Sequence, residues 1–296
     1  MILETIAAIL KAIFLGFIQG VTEFLPISSS GHLSIAQHFL KVQGEEALLL
    51  TVLLHMGTLI AVFLVYYKTI LALAFEAFFT LKDIVTGKFK WREMRPTRHM
   101  LAMFVFSCLP LLLLLMPIGK DRLLMDALSS LAQDGDIFIE GFCFLFTAGL
   151  LLFGAHRANE PGTLPHRRVD EKSALAVGIA QMLAAGFPGI SRSGSTIATG
   201  MLCGVSKEYM VRYSFILGIP AILAANAVEL KDALESGQKP EWLPILFGVA
   251  TAAVVGFFAI KALELLVKKD KFKIFGYYCL GIGILVLFAG MIEKLV

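Results

Sequence analysis

Six long hydrophobic stretches run through the chain, and each is poor in charged residues. They lie at about 48–67, 98–118, 137–155, 209–230, 242–267 and 274–293. A helix of about 20 apolar residues is long enough to cross the hydrocarbon core of a bilayer. The pattern therefore predicts six transmembrane helices.

Two further apolar stretches, at about 2–40 and 173–205, are each interrupted by a cluster of Pro, Gly and Ser. A broken backbone leaves N–H and C=O groups unpaired, and in a membrane these groups need protein or a watery cavity around them. We therefore expect each stretch to be a re-entrant helical hairpin. The segment 70–85 is too short and too charged to span, and it predicts a helix at the cytoplasmic interface.

Loop charges predict the orientation of these segments. Residues 68–98 carry seven Lys or Arg, and 156–172 and 268–273 carry four each, whereas 119–136 and 231–241 carry only two each. Basic loops face the cytoplasm. The first hairpin would then enter and leave from the outside, and the second from the cytoplasm.

This topology predicts an inverted repeat. Residues 1–155 form the first repeat, a hairpin plus three spans, and 173–296 form the second, with 156–172 as a basic cytoplasmic linker. "GFIQGVTEFLPISSSGH" lies over "GIAQMLAAGFPGISRSGS", with Gln and Pro seven apart in both copies and one residue inserted in the second turn. Inverted repeats bring broken helices together near the bilayer midplane. The predicted fold is an all-α integral membrane protein with six spans and two hairpins.

Composition agrees with a membrane protein and excludes other classes. Of the 296 residues, 57% are hydrophobic and 17% are charged. One soluble core does not need so much apolar surface. A net charge of +3, scattered along the chain, does not indicate nucleic-acid binding. The four cysteines lie singly in apolar segments, without metal-finger spacing, so we interpret them as small hydrophobic residues.

The first hairpin carries candidate catalytic groups. Gln19 and Glu23 are four residues apart and would share one helix face. A carboxylate at membrane depth is costly, which makes Glu23 a functional candidate, although it could simply cap the amides of the turn. Ser28, Ser29, Ser30, Gly31 and His32 follow in the turn. His32 is either a buried structural histidine or an acid–base group.

The second hairpin carries a candidate anion site around Arg192. Gly and Ser allow backbone N–H groups to face a ligand, and the guanidinium fits phosphate oxygens in a bidentate manner. The alternative is an arginine that reaches to the interface. The surrounding candidates are Gly189, Ser191, Ser193, Gly194 and Thr196. Placed tip to tip, the two hairpins suit phosphoryl transfer, with a divalent cation held through Glu23 and a hydroxyl or water attacking.

At these residues the chain closely resembles a known family, the bacterial undecaprenyl-diphosphate phosphatases or bacitracin-resistance proteins. "QGVTEFLPISSSGH" matches the family pattern (E/Q)xxxE followed by PxSSxGH, and "PGISRSGST" matches PGxSRSxxT. A weaker likeness continues through "LLHMGTLIAVF" and "YSFILGIPAILAANA", so it spans both halves. One difference is at position 19, where the family pattern allows either Glu, which would give a metal a second carboxylate, or Gln, which this chain has. Another difference is an insertion-like segment at 125–138.

The resemblance implies a hydrolase of the bacterial inner membrane, with its site open to the outer, periplasmic face. It would remove one phosphate from the C55 isoprenyl diphosphate used in cell-wall synthesis and thereby confer bacitracin resistance. The family is metal-dependent, with Mg²⁺ or Ca²⁺. Its roles transfer to Glu23 and Gln19 for metal and water, Ser29 as nucleophile, and His32 as acid–base partner. Diphosphate binding would involve Arg192 with Ser28, Ser30, Gly31, Gly189, Ser191, Ser193, Gly194 and Thr196.

Two other functions compete with this one. The type 2 phosphatidic acid phosphatase pattern fails, because Lys88 follows His32 in the wrong order and no histidine follows Arg192. A transporter or flippase of phosphorylated isoprenyl lipids is the other candidate, since inverted repeats with broken helices are common among transporters. The sequence leaves open whether the protein is a monomer or a homodimer. His55, within a predicted span, either lines the site or bonds a neighbouring group, and the second is the expectation.

Overall fold

The computed structural model describes residues 2–42, 45–118, 122–129, 137–158, 168–187, 189–235 and 241–295. Parts of the predicted linker (159–167) and of the insertion-like segment (130–136), and Pro188, lie outside these ranges. The helices are α1 Ile2–Phe24, α2 Ser29–Leu40, α3 Glu45–Val85, α4 Pro96–Cys108, α5 Leu124–Ser129, α6 Phe138–Arg157, α7 Glu171–Gly186, α8 Arg192–Leu202, α9 Lys207–Glu235, α10 Trp242–Lys268 and α11 Lys273–Leu295. Two 3₁₀ segments are Trp91–Glu93 and Leu109–Leu115.

Six helices of the described chain are long and apolar enough to cross a membrane, which confirms an all-α membrane protein. They are Ile2–Phe24, Leu48–Val85, Pro96–Leu115, Phe138–Arg157, Trp242–Lys268 and Lys273–Lys294. Five correspond to predicted spans. The predicted span 209–230 lies within α9, which is not among the six, and α1 is counted in its place. Length and apolarity do not distinguish a spanning helix from one arm of a long hairpin.

α3 and α4 deviate from regular α-helical geometry. The deviation in α3 lies where an apolar stretch meets a more charged one, and that in α4 lies at a proline. α3 continues from the span predicted at 48–67 into the segment predicted as interfacial, but it kinks between them at Tyr66 (φ −109°, ψ 19°). The hydroxyl of Tyr66 donates to Glu264 of α10 at 2.9 Å, which ties the kink to the bundle. α4 changes to a 3₁₀ turn beside Pro110, because proline lacks the N–H that an α-helix requires.

Small residues let α1 lie directly against α10. A side chain at Gly16 would collide with the backbone of Gly248, and one at Gly20 would meet the carbonyl of Ala252 at 2.8 Å. Such residues allow close helix approach in membrane proteins. The same register places the end of α1 beside Gly256, near the middle of α10. The turn after α1 therefore lies level with the centre of a long helix.

The turn between α7 and α8 lies level with the middle of α6. There the amide of Ser191 donates to the hydroxyl of Thr147 at 3.2 Å. Farther along α8, Ala198 packs against Gly154 near the end of α6. These contacts bring both turns into the interior of the bundle. The re-entrant course of the hairpins, their inverted relation and the repeat boundaries stay predictions.

Candidate active site

The turn of the first hairpin is held by a serine cap. Ser28 precedes α2, and its hydroxyl accepts a hydrogen bond from the amide of Gly31 at 3.1 Å. Its backbone has φ 72°, a region that side chains other than glycine rarely adopt. Strain of this kind persists where surrounding structure fixes the chain, and it is common at functional sites. The turn thus presents Ser29 at a fixed position.

Four side chains converge on the carboxylate of Glu23, which is only 5% exposed. Oε1 accepts a hydrogen bond from Arg192 Nη2 at 2.5 Å. Oε2 accepts from the hydroxyl of Ser29 at 2.6 Å and from Gln19 Nε2 at 3.1 Å, and it lies 3.7 Å from His55 Nε2. The expected meeting of Arg192 with Glu23 is therefore present. Because the ion pair is buried, removing either partner would leave an uncompensated charge.

The guanidinium of Arg192 is confined on its other side by α9. Nη1 donates to the carbonyl of Ser214 at 3.5 Å. A side chain at Gly218 would occupy the position of the guanidinium, so glycine is needed there. Thr196, one turn along α8, shares a 2.6 Å hydrogen bond with the hydroxyl of Ser214. The arginine is thereby held toward the first hairpin rather than toward a membrane surface.

The two turns also touch through predicted substrate-binding residues. The amide of Gly189, at φ 101°, donates to the hydroxyl of Ser30 at 3.0 Å. Ser193 donates to the backbone carbonyl of Glu23 at 3.4 Å. The amide of Gly194 donates to the hydroxyl of Ser191 at 3.0 Å. Several amides expected to face a ligand therefore donate within the protein, and a phosphate would have to replace those bonds. Their role in binding stays a prediction.

His32 lies in the first turn of α2, with both ring nitrogens engaged. Nδ1 is 2.7 Å from the carbonyl of Ser28, and Nε2 is 2.8 Å from the hydroxyl of Tyr278. A carbonyl only accepts, so Nδ1 carries the proton and Nε2 of the neutral ring accepts from Tyr278. The tyrosine ring also stacks on the imidazole, at an interplanar angle of 11°. The hydroxyl of Ser29 meanwhile donates to Glu23, so the nearest base to Ser29 is the carboxylate.

Sequence reasoning gave too little weight to one side chain of the site, His55, and missed another, Tyr278. His55 does bond a neighbour, the carbonyl of Thr51 at 2.9 Å, but its other nitrogen faces Glu23. A signal was present, because Thr51, His55 and Thr58 recur at helical spacing within an apolar span, as the polar face of a helix does. Tyr278 gave no such signal, since it is one of several aromatic residues in an apolar helix.

A divalent cation fits the first hairpin in part. No group of three or more His, Cys, Asp or Glu side chains in the described ranges could hold a metal. However, the carboxylate of Glu23 lies beside Gln19, whose buried Oε1 has no hydrogen-bond partner among the described residues. Carboxylate and amide oxygens suit Mg²⁺ and Ca²⁺. The residues fit an ion that takes further ligands from water or substrate.

Comparison with known proteins identifies the family. The model of the family described as bacitracin resistance protein BacA matches residues 12–285. The chain belongs to this family. An undecaprenyl-diphosphatase of Methanobrevibacter smithii is 37% identical over 289 residues, covering 97% of this chain and 99% of the relative. The proteins of that name from Alkaliphilus metalliredigens and Methanosphaera stadtmanae are 38% identical over 278 residues (94% and 97% covered) and 36% over 288 (96% and 99%).

Proposed function

We propose that this BacA-family protein is an undecaprenyl-diphosphatase, which hydrolyses undecaprenyl diphosphate to undecaprenyl phosphate and inorganic phosphate. Family membership supports this reaction. The observation that carries it is the convergence of a hydroxyl and a guanidinium on one buried carboxylate, with Ser29 at 2.6 Å and Arg192 at 2.5 Å from Glu23. A carrier that only binds a phosphorylated lipid needs the positive charge of Arg192 but not the activated hydroxyl of Ser29. The geometry therefore favours the enzyme over the transporter.

In the proposed mechanism, Arg192 exchanges its contact with Glu23 for oxygens of the diphosphate. Glu23 then takes the proton of Ser29 as the serine oxygen attacks the terminal phosphorus. The bond from that phosphorus to the bridging oxygen breaks, and undecaprenyl phosphate leaves. Water next attacks the phosphoserine and loses a proton to Nε2 of His32, from which the hydroxyl of Tyr278 first withdraws. The bond from phosphorus to the serine oxygen breaks, Glu23 returns its proton to that oxygen, and inorganic phosphate is released. In the alternative, a water held by Glu23 attacks directly and no phosphoserine forms.

The proposed cofactor is a divalent cation, Mg²⁺ or Ca²⁺, held by Glu23 and Gln19. When bound, it would neutralise charge on the diphosphate oxygens. Arg192 supplies a second, fixed positive charge whose planar geometry suits phosphate. Since Gln19 offers a neutral oxygen where a carboxylate is permitted, diphosphate oxygens would complete the coordination.

The proposed location is the plasma membrane, with the site open to the outer face. The excess of Lys and Arg in 68–98, 156–172 and 268–273 supports this orientation. Large apolar side chains on the outside of the bundle, such as Phe258 (64% exposed), Phe153 and Phe288, support contact with lipid tails. The isoprenyl chain would lie in the same environment, so only the diphosphate group needs to reach the turns.

Phosphate release from defined lipids tests the function. The purified full chain in detergent, given Mg²⁺, should release one phosphate per undecaprenyl diphosphate and none from undecaprenyl phosphate. Glu23→Gln should lower the rate by about a thousand-fold, because it removes the base and the metal carboxylate. The exposed Arg168 provides a control, and Arg168→Ala should keep wild-type activity. Lipid binding without phosphate release by the wild type would support the carrier instead.

A further inference from the structure

The tautomer of the neutral His55 ring follows from its hydrogen bond. Nδ1 lies 2.9 Å from the backbone carbonyl of Thr51. The carbonyl can only accept, so the proton of the neutral ring is on Nδ1 and the lone pair is on Nε2. This lone pair faces Oε2 of Glu23 at 3.7 Å. Such a separation is longer than a hydrogen bond, so two electron-rich atoms face each other across a gap.

The gap has the dimensions of a shared metal ion. Ligands about 2.1 Å from one divalent cation lie about 3–4 Å from each other, depending on the angle between them. Gln19 lies on the same side of the carboxylate, because its Nε2 donates to the same Oε2 at 3.1 Å. Its Oε1 is buried and lacks a hydrogen-bond partner in the described part of the chain. Three donor groups therefore adjoin one another: an imidazole nitrogen, a carboxylate oxygen and an amide oxygen.

The positive charge of Arg192 does not block this position. Its guanidinium binds Oε1 of Glu23, whereas His55 and Gln19 both lie at Oε2, where an ion would displace the hydrogen bonds that Ser29 and Gln19 donate. The donors also come from helices that pack together, since Gly57 of α3 and Gly16 of α1 both pack against α10. Folding thus places them next to each other without substrate.

We propose that His55 is a ligand, through Nε2, of the divalent cation held by Glu23 and Gln19. An imidazole in place of a second carboxylate shifts the site from Mg²⁺ and Ca²⁺, which prefer oxygen, toward metals that accept nitrogen, such as Mn²⁺, Co²⁺ or Zn²⁺. The inference rests on the proposed function only for what the ion does. The binding of the ion is a property of the three side chains.

Mn²⁺ is the probe that tests the ligand set directly. Electron spin echo modulation of Mn²⁺ bound to the purified full chain should show coupling to an imidazole nitrogen. In His55→Gln this coupling should disappear, and the Mn²⁺ dissociation constant should rise at least ten-fold. The control is His38→Gln, because His38 lies near the end of α2 and pairs with Glu293 at 3.1 Å. That variant should keep both the coupling and the affinity.

The opposite results would overturn the proposal. They are Mn²⁺ bound without nitrogen coupling, no Mn²⁺ binding at millimolar concentration, or an unchanged dissociation constant in His55→Gln. Any of these would mean that His55 lies beside Glu23 without binding the ion. The wild-type spectrum needs no variant, so it decides the question even if His55→Gln does not fold.

A gain-of-affinity variant and an activity assay complete the test. Gln19→Glu restores a second carboxylate and should tighten Mg²⁺ binding by about ten-fold or more, lowering the preference for Mn²⁺. Phosphate release from undecaprenyl diphosphate is measured on the same samples. Hydrolysis by a protein without nitrogen coupling refutes the ligand and leaves the phosphatase intact. Nitrogen coupling without hydrolysis refutes the phosphatase and leaves the ligand intact.

Discussion

The two hairpin turns have the same serine-capped backbone arrangement but carry different side chains. In the first, the hydroxyl of Ser28 accepts from the amide of Gly31, and in the second the hydroxyl of Ser191 accepts from the amide of Gly194. Both caps span three residues and open a helix. The position after the cap is Ser29 in one turn and Arg192 in the other, and both side chains reach Glu23. Equivalent positions thus supply a hydroxyl and a guanidinium to the same carboxylate.

The two turns differ in which residue has a positive φ angle. Ser28 itself has φ 72° in the first turn, whereas Ser191 in the second has φ −67°. There Gly189 takes the left-handed conformation, with φ 101°. The residue inserted in the second turn moves the left-handed position to a glycine, which adopts it without steric cost. The turn that carries the proposed nucleophile is therefore the more strained one.

Removing the guanidinium of Arg192 should have the largest effect on the rate of phosphate release. Arg192→Ala should lower phosphate release by about a thousand-fold, because a guanidinium fixed against the phosphate stabilises charge in the transition state. Arg192→Lys should recover little, since an ammonium cannot replace bidentate contacts. The rate of phosphate release from undecaprenyl diphosphate measures both. Near wild-type activity in the alanine variant would contradict the assignment of this hairpin.

Removing the hydroxyl should have the next largest effect. Ser29→Ala should lower the rate by about a hundred-fold or more if the serine attacks, and by about ten-fold if it only orients a water. Rapid acid quenching followed by mass spectrometry would detect phosphoserine in the wild type. Ser193→Ala is the comparison variant from the other turn, because its hydroxyl is predicted to bind the diphosphate and contacts the backbone carbonyl of Glu23 at 3.4 Å, not the carboxylate. The rate of phosphate release by this variant should fall by less than about ten-fold.

The contrast between the turns also explains what the sequence could predict. Local rules gave the Gln19–Glu23 face and the break after each long helix, because each depends on residues close in sequence. The meeting of Arg192 with Glu23 followed from counting segments between charged loops. Tyr278 could not be predicted, since its contact with His32 depends on how α11 packs against α6. The same holds for the side of α3 on which His55 faces Glu23.

Tyr278 offers a smaller test of the first hairpin. Its hydroxyl donates to Nε2 of His32, and the ring stacks on the imidazole. Tyr278→Phe keeps the stacking and removes the hydroxyl, so the imidazole is less firmly oriented. We expect kcat to fall by about ten-fold with little change in KM, because the residue acts through His32 and does not bind substrate. The adjacent Tyr277, 62% exposed, supplies the control, and Tyr277→Phe should change neither constant.

The smallest expected effect comes from Gln181, which corresponds in the second hairpin to Gln19 in the first. Gln19 bonds Glu23 four residues later, but the corresponding residue after Gln181 is Ala185, which offers no acceptor. Gln181 is fully buried, and within the described ranges neither polar atom of its side chain has a hydrogen-bond partner. Burying an amide without a partner costs about 1–3 kcal/mol. Gln181 has the same spacing to the following proline as Gln19, but the carboxylate that Gln19 binds has no counterpart four residues later.

Gln181→Leu should therefore stabilise the protein by about 1 kcal/mol, because leucine has a similar volume and no polar atoms. Thermal unfolding in detergent should show a small rise in Tm, with phosphate release unchanged. Gln19→Leu is the matched variant, and it should instead lose activity, since it removes the hydrogen bond to Glu23 and the free amide oxygen. A loss of activity in both variants would mean that the second glutamine binds a water or substrate oxygen. The two hairpins would then share the chemistry of the site more evenly than their sequences indicate.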